Sequence, residues 1–410
     1  MPSPLAALNA RVRSSGGRLV RRLGLLPGGE PDGLGEDARL DGVALPERVV
    51  AFFPEPPRNA YQLEQWLPAL QALHERDGVA LVTQDSRTAA RLRERTGLRV
   101  LCVGRTATLD GLVHRSAIAL ALYVSHHPRN FQMLRFPSVA HVYLGHGESD
   151  KAVSASNQLK AYDRVFVAGP AAEERVLSEL MWFDASRMVR IGRPQAAAPA
   201  PRPVPDRPTV LYAPTWEGAQ PSMAYCSVPT HGRALVRALT DAGCRVVYRP
   251  HPRTGANRRD VAAADAALRA LFREEDMQRS GSAVDTDRPL AEAFAEADLL
   301  ITDVSSLAVE WLPIGRPLIV TVPAGTGAVV TPSPLLDQVP RMAASDAGEA
   351  GLLARRCLAE DPERDRRRAL VDHYLGGADP AGALVRFLEA CADVIGARDI
   401  AQAASERAAR

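Results

Sequence analysis

Short apolar runs alternate with longer amphipathic segments from Arg48 onward, and this rhythm limits the fold more than any other feature of the chain. The runs "RVVAFFPE", "VALVTQD", "RVLCVG", "AIALALYVS", "HVYLGHG", "RVFVAGP" and "RMVRIGRP" are continuous rather than alternating in hydrophobicity. That is the pattern of strands buried on both faces of a parallel sheet. Segments such as "YQLEQWLPALQALHER" between them carry helical periodicity. Parallel strands need such crossovers, so the first half reads as a doubly wound α/β domain.

The stretch "RPQAAAPAPRPVPDRP", residues 193–208, then offers Pro and Ala and little to build a core from, and reads as a linker. A second series follows: "TVLYAPTW", "RVVYRPHP", a weaker "GSAVDTD", "DLLITDVSS" and "RPLIVTVP", again with helical stretches between. A chain of 410 residues with 46% hydrophobic content is long enough for two such cores. The division expected is a basic N-terminal segment at 1–47, one Rossmann-like domain at 48–200, a second at 207–375 and a helical tail at 376–410.

The formal net charge is +2, too nearly balanced for a broad nucleic-acid footprint, so no nucleic-acid partner is expected. The five cysteines, Cys102, Cys226, Cys244, Cys357 and Cys391, show no CxxC pair and no metal-ligand spacing. They read as core thiols in a reducing compartment, and no metal or cofactor is expected. No apolar run is long enough to span a bilayer and no signal peptide is evident, which points to the cytoplasm. One local exception to the charge balance is the start. In residues 8–29, Arg11, Arg13, Arg18, Arg21 and Arg22 alternate with Leu and Val before any acid occurs. The segment fits a helix lying on an anionic membrane face, or equally a solvated terminus interrupted at residues 14–17.

In open α/β sheets, ligands bind beyond the carboxyl ends of the strands, where helix amino termini converge. Four strands run straight into concentrated polar chemistry: "HVYLGHGESDK", "VLYAPTWEG", "VVYRPHPRTG" and "LLITDVSSLAVEW". In the first, His146 lies between glycines and is suited to remove a hydroxyl proton near neutral pH. Lys151, one of only two lysines, is able to hold an acceptor phosphate as a point charge. In the second, Thr215 offers a hydroxyl. In the third, Arg249 and His251 can face a diphosphate, the histidine as a metal-free donor. In the fourth, Asp303 closes the strand, Ser305 and Ser306 fit the cap of the next helix, and Glu310 falls about one turn further in, where a carboxylate can accept from ribose hydroxyls. Each match alone has an ordinary structural reading, as a capping serine, a turn or a core aromatic.

Taken in order, His146, Gly147 and Lys151, the "LYAPTW" run from Leu211 to Trp216, "RPHP" from Arg249 to Pro252, and "LLITDVSS" from Leu299 to Ser306 resemble the CDP-glycerol glycerophosphotransferase family of teichoic acid synthesis. The resemblance spans roughly residues 140–375 and implies a GT-B fold, two Rossmann-like doubly wound domains facing across a cleft, with the nucleotide on the second. It implies His146 as base, His251, Ser305 and Ser306 at the diphosphate, and Glu310 at the ribose. The expected substrates are CDP-glycerol or another CDP-alditol and a polyprenyl-diphosphate-linked acceptor, handled by a cytoplasmic enzyme peripheral to the inner face of the cell membrane. The chain departs from the pattern where "ESD" follows His146 and Gly147, and where Glu310 stands in place of a common Asp. Two rival readings share the nucleotide site: a GT-B glycosyltransferase or sugar-nucleotide epimerase, and a non-catalytic nucleotide- or polymer-binding scaffold.

Overall fold

A computed structural model describes residues 35–148, 156–196, 202–324 and 327–408. Two sheets organise them. The first takes β1 (Val49–Phe53), β2 (Val79–Thr83), β3 (Arg99–Cys102), β4 (Leu120–Tyr123), β5 (Ala140–Tyr143), β6 (Arg164–Val167) and β7 (Met188–Arg190), in the spatial order β3-β2-β1-β4-β5-β6-β7. The pairings from β3 through to β6 are parallel. The second takes β8 (Thr209–Ala213), β9 (Arg245–Tyr248), β10 (Ala283–Val284), β11 (Leu299–Thr302), β12 (Leu318–Thr321) and β13 (Arg341–Met342), in the order β10-β9-β8-β11-β12-β13, parallel throughout.

Both orders reverse once, between β1 and β4 in the first sheet and between β8 and β11 in the second. Such a reversal leaves a crevice at the carboxyl ends of the two strands that flank it, and it is where doubly wound sheets take their ligands. The apolar runs explain the strands: every residue of β1, β2, β4, β5, β8, β11 and β12 is buried, as sheets covered by helices on both faces require. β10 and β13 are two residues each; β10 lies in the weak "GSAVDTD" run, and β13 escapes the apolar signal.

Contacts between residues sort the chain into two compact units, residues 1–146 with 161–165 and 388–410, and residues 147–160 with 166–387. In the first unit, the end of the C-terminal helix Pro380–Ala408 is tied down by ion pairing of Arg48 with Asp399 at 2.7 Å and by Arg398 donating to the Ser138 carbonyl at 2.7 Å. In the second unit, the Phe166 and Phe387 rings meet edge to face at 6.4 Å, and Leu370, Val371, Tyr374 and Leu375 of the helix Arg364–Leu375 join a core with Ala168 and Ala171. Burial of these side chains binds residues 166–196 to the second unit, although they precede the Pro/Ala stretch.

Candidate functional site

The first unit brings two histidines to neighbouring strand ends. β4 and β5 pair with Tyr123 opposite Tyr143, and His126 and His146 each follow three residues beyond. Gly145, with φ of 67°, makes the left-handed turn that precedes His146, and Trp66 Nε1 donates to its carbonyl at 2.7 Å. His146 is half-buried, its own carbonyl accepting from Gln65 and its ring meeting Tyr61 edge-on at 6.3 Å. Its Nδ1 lies 2.9 Å from the Val124 carbonyl. A carbonyl can only accept, so in the neutral ring the proton sits on Nδ1 and Nε2 carries the lone pair. The Gln62 amide nitrogen lies 3.4 Å from Nε2. This is the tautomer a general base needs.

His126 is its neutral companion. The ring stacks on Tyr143 with centroids 4.3 Å apart and planes 8° apart, and both ring nitrogens are buried without a hydrogen-bond partner. Burial, and then the nearby His146, push its pKa down to about 4. The other two histidines of this region are structural. His127 Nδ1 caps a short turn by accepting from the Arg129 amide at 3.1 Å, and His141 bridges the Tyr123 hydroxyl at 2.9 Å and the Phe136 carbonyl at 3.1 Å.

The second unit assembles the remaining candidates, apart from Lys151, which lies outside the described residues. Gly147 packs flush against the helix Ser306–Glu310. A Cβ at Gly147 would stand 3.0 Å from Ser306 Cβ, 3.2 Å from Ser306 Oγ and 3.3 Å from Glu310 Oε1. Only glycine fits there without displacement. Next to it, Glu148 pairs with Arg175 at 2.9 Å, and Glu310 pairs with the buried Arg193 at 3.2 Å. Burial raises the Glu310 carboxyl above the ordinary range; Arg193 opposes the rise and Glu148 adds to it. Arg193 is thus the group that favours an ionised Glu310.

At the reversal of the second sheet, Asp303 is completely buried and gives both oxygens to the chain's own donors. Oδ2 accepts from the Thr215 amide at 2.7 Å and the Ser227 amide at 3.2 Å, and Oδ1 from the Thr321 hydroxyl at 2.5 Å. Burial pushes its carboxyl up, and the bonds from Ser227, Thr321 and Thr215 pull against that. Its place is to hold the Thr215 loop beside β11 and β12. Ser305 occupies the N-cap position, but its hydroxyl makes no capping bond. It lies 3.1 Å from Thr302 Oγ1, whose own proton goes to the Ala213 carbonyl at 2.7 Å, so Ser305 donates to Thr302.

Beyond β9, Arg249 is held by Asp285 at 2.8 Å and by the Arg288 carbonyl at 2.8 Å. His251 Nδ1 accepts from the Arg253 amide at 3.0 Å, which fixes the proton of the neutral ring on Nε2 as a donor. The Trp216 ring lies 6.3 Å from the His251 ring at 27°, and the Arg253 guanidinium carbon sits 3.7 Å over it. Underneath, the buried Glu217 accepts from the amides of Gly255 at 2.9 Å, Asn257 at 2.6 Å and Arg258 at 3.2 Å, fastening the loop after β9 to the loop after β8. Sequence reasoning passed over Glu217, Arg193 and Arg175. Among the described residues, no three His, Cys, Asp or Glu side chains gather as metal ligands.

Against known proteins, residues 150–324 match the model of the CDP-Glycerol:Poly(glycerophosphate) glycerophosphotransferase family. The matched segment belongs to that family. It contains Thr215, Arg249, His251, Asp303, Ser305, Ser306 and Glu310 and begins just after His146 and Gly147. No curated protein sequence matches that of the chain. Among solved structures, the wall teichoic acid polymerase TagF superposes with a TM-score of 0.57 at 13% identity, covering 97% of this chain and 100% of that one. A putative UDP-N-acetylglucosamine 2-epimerase from Listeria monocytogenes gives 0.54 at 13% identity, over 84% of this chain and 95% of its own. A glycosyltransferase from Rickettsia africae gives 0.51 at 11% identity, over 86% and 99%. At such identities the likeness shows the fold, and that fold is GT-B, two Rossmann-like doubly wound sheets.

Proposed function

We propose that the protein transfers glycerol phosphate, or a related alditol phosphate, from a CDP-alditol to a hydroxyl of a lipid-linked acceptor or growing teichoic-acid-like polymer, releasing CMP. The domains we assign to this work are residues 48–200 for the acceptor and 207–375 for the nucleotide. One observation carries the reading. The chain that leaves β5 through a base-competent His146 continues, at Gly147 and Glu148, directly against Ser306, Glu310 and the Glu148–Arg175 pair of the family-matched unit. A scaffold that only binds a nucleotide has no use for an imidazole held in the Nδ1–H tautomer at that point in the chain.

In this mechanism His146 Nε2 takes the proton of the acceptor hydroxyl as its oxygen attacks the β-phosphorus in line. The bond from that phosphorus to the bridging oxygen breaks, and CMP leaves with the electron pair. His251, through Nε2–H, and Ser305 and Ser306 stabilise the charge that collects on the departing phosphate. Glu310, whose ionised form Arg193 favours against burial, accepts from the ribose hydroxyls. Lys151 holds a phosphate of the acceptor. No described helix is long and apolar enough to cross a membrane. The arginines between residues 8 and 29, also outside the described residues, would place the enzyme on the anionic inner face where a polyprenyl-diphosphate acceptor resides.

The test is to incubate the protein with CDP-glycerol and other CDP-alditols, labelled in the β-phosphate, and a prenyl-diphosphate disaccharide. Label is expected in the lipid product with one CMP released per transfer. Label retained in a soluble nucleoside diphosphate would instead assign glycosyl-type chemistry, and binding without release would assign a scaffold.

A further inference from the structure

Four side chains of one short segment converge on the turn that carries His146. The run "YQLEQW", residues 61–66, forms the helix Tyr61–Glu64 and the turn that ends it. Gln62, Gln65 and Trp66 follow Tyr61 by one, four and five residues, which places all four on one side of a helical turn. Tyr61 meets the His146 ring edge-on at 6.3 Å, Gln65 donates to the His146 carbonyl, and Trp66 Nε1 donates to the Gly145 carbonyl at 2.7 Å. Those three hold the backbone and the ring plane. Gln62 is different, because it reaches the reacting atom: its amide nitrogen lies 3.4 Å from His146 Nε2.

The chemistry of that contact orients the amide. With the Nδ1 proton given to the Val124 carbonyl, Nε2 of the neutral ring carries a lone pair, which an amide N–H can approach and an amide oxygen would repel. Gln62 Oε1 is therefore the atom left over. The residue is 9% exposed, and Oε1 is buried with no hydrogen-bond partner. Asn59, one turn earlier in the chain, repeats the pattern. Its Nδ2 donates to Glu55 Oε2 at 2.6 Å, which fixes the other atom as oxygen, and that Oδ1 is also buried without a partner. A buried acceptor that lacks a donor is costly, and the ligand that relieves it must bring protons. Ionised phosphate oxygens only accept and leave both amide oxygens as they are; a hydroxyl supplies what is missing.

We propose that Gln62 is a specificity-determining residue, which selects an acceptor whose attacking hydroxyl has a second hydroxyl on the neighbouring carbon. The attacking hydroxyl takes over His146 Nε2 from the Gln62 amide. Released from that contact, the amide turns and Oε1 accepts from the second hydroxyl. Before binding, the lone pair is held by a long bond and an oxygen is stranded; after binding, both have full partners. This rests on the reading of His146 as the base of the transfer, and adds to it the chemical class of the acceptor's end, a vicinal diol.

CMP release by the full chain from CDP-glycerol tests it with two acceptors that share a primary hydroxyl. One is a prenyl-diphosphate disaccharide ending in glycerol phosphate, and the other ends in a deoxyglycerol phosphate that lacks the middle hydroxyl. The wild type should prefer the first in kcat/KM by roughly 5- to 150-fold, the range for leaving a buried acceptor unpaired. Gln62→Met keeps the length of the side chain without the acceptor and should make the two acceptors equivalent. Gln62→Glu restores an acceptor oxygen of the same reach and should restore most of the preference. Each variant is scored by its own ratio, so a smaller folded fraction does not change the outcome. A Gln62→Met variant that slows on both acceptors alike and keeps the wild-type ratio would overturn the proposal and give Gln62 a packing role. A wild type that transfers glycerol phosphate but ignores the second hydroxyl would overturn it too, leaving the proposed function in place. Absence of CMP release from the wild type with either acceptor would remove both.

Discussion

The strand ends of the first unit and those of the second solve the problem of polar groups at a sheet's edge in opposite ways. Beyond β4 and β5 the groups are imidazoles set among neutral partners: His146 is oriented by the Val124 carbonyl and the Gln62 amide, and His126 lies flat on Tyr143. Beyond β8, β9 and β11 they are ionic and tightly partnered, with Asp303, Glu217, the Arg249–Asp285 pair and the Arg193–Glu310 pair each bonded to the chain itself. The contrast has a chemical sense. A base must exchange a proton and so must sit where either state is tolerable, whereas a site for a diphosphate needs fixed donors whose loops do not yield to the incoming charge.

The sharpest way to break this contrast is to remove the base. His146→Ala should lower turnover by roughly 10²- to 10⁴-fold, the usual contribution of a positioned general base, while CDP-alditol affinity stays at the wild-type value. Single-turnover rates and a separate binding titration report the two quantities. A variant that loses binding in proportion to turnover would show that His146 belongs to the charged, ligand-holding group after all.

Asp303 probes the other side of the contrast. Its carboxylate satisfies two buried amides and the Thr321 hydroxyl. Asp303→Ala leaves those donors without partners inside a dry core, and each costs about 1 to 3 kcal/mol. The expected loss of stability is therefore on the order of 4 kcal/mol, read as a lower urea midpoint, with Asp303→Asn losing less because one acceptor oxygen survives. A loss in Asp303→Ala under about 1 kcal/mol, combined with weakened nucleotide binding, would move Asp303 from the scaffold to the ligand.

How much of this was legible in the sequence depends on how far apart the partners lie. The two doubly wound sheets were legible, because strands buried on both faces are written as continuous apolar runs, and the polar residues that end β8, β9 and β11 stand out against them. The partnerships were not. Arg193 and Glu310 are 117 residues apart and Glu217 reaches amides about 40 residues on, separations at which nothing in the local pattern marks the pair. Arg193 was further concealed by its neighbours, since Pro194 and the alanines after it give the composition of a linker, while the arginine itself is buried. Ser305 shows a subtler limit: its position before the helix was legible, but a hydroxyl chooses among acceptors in space, and Thr302 took it.

The smallest expected effect tests whether the first unit's neutrality is built in. Burial and the adjacent His146 push His126 down to about 4 from the ordinary 6.5. Between those values the unfolded chain binds a proton that the folded chain does not, so stability must rise with pH across the window and decline as pH falls from 6.5 towards 4. A shift of that size corresponds to on the order of 3 kcal/mol at the acid end. His141 and His127 are also pushed down by burial and tilt the same curve in the same direction. The informative quantity is therefore the difference between the wild type and His126→Phe, which keeps a flat ring against Tyr143 but has nothing to titrate. Urea midpoints taken at intervals from pH 7.5 to 4.5 should fall more steeply towards acid pH in the wild type than in the variant. Parallel curves would mean that His126 takes up its proton as readily in the folded unit as in the unfolded chain, and that its burial does not depress it.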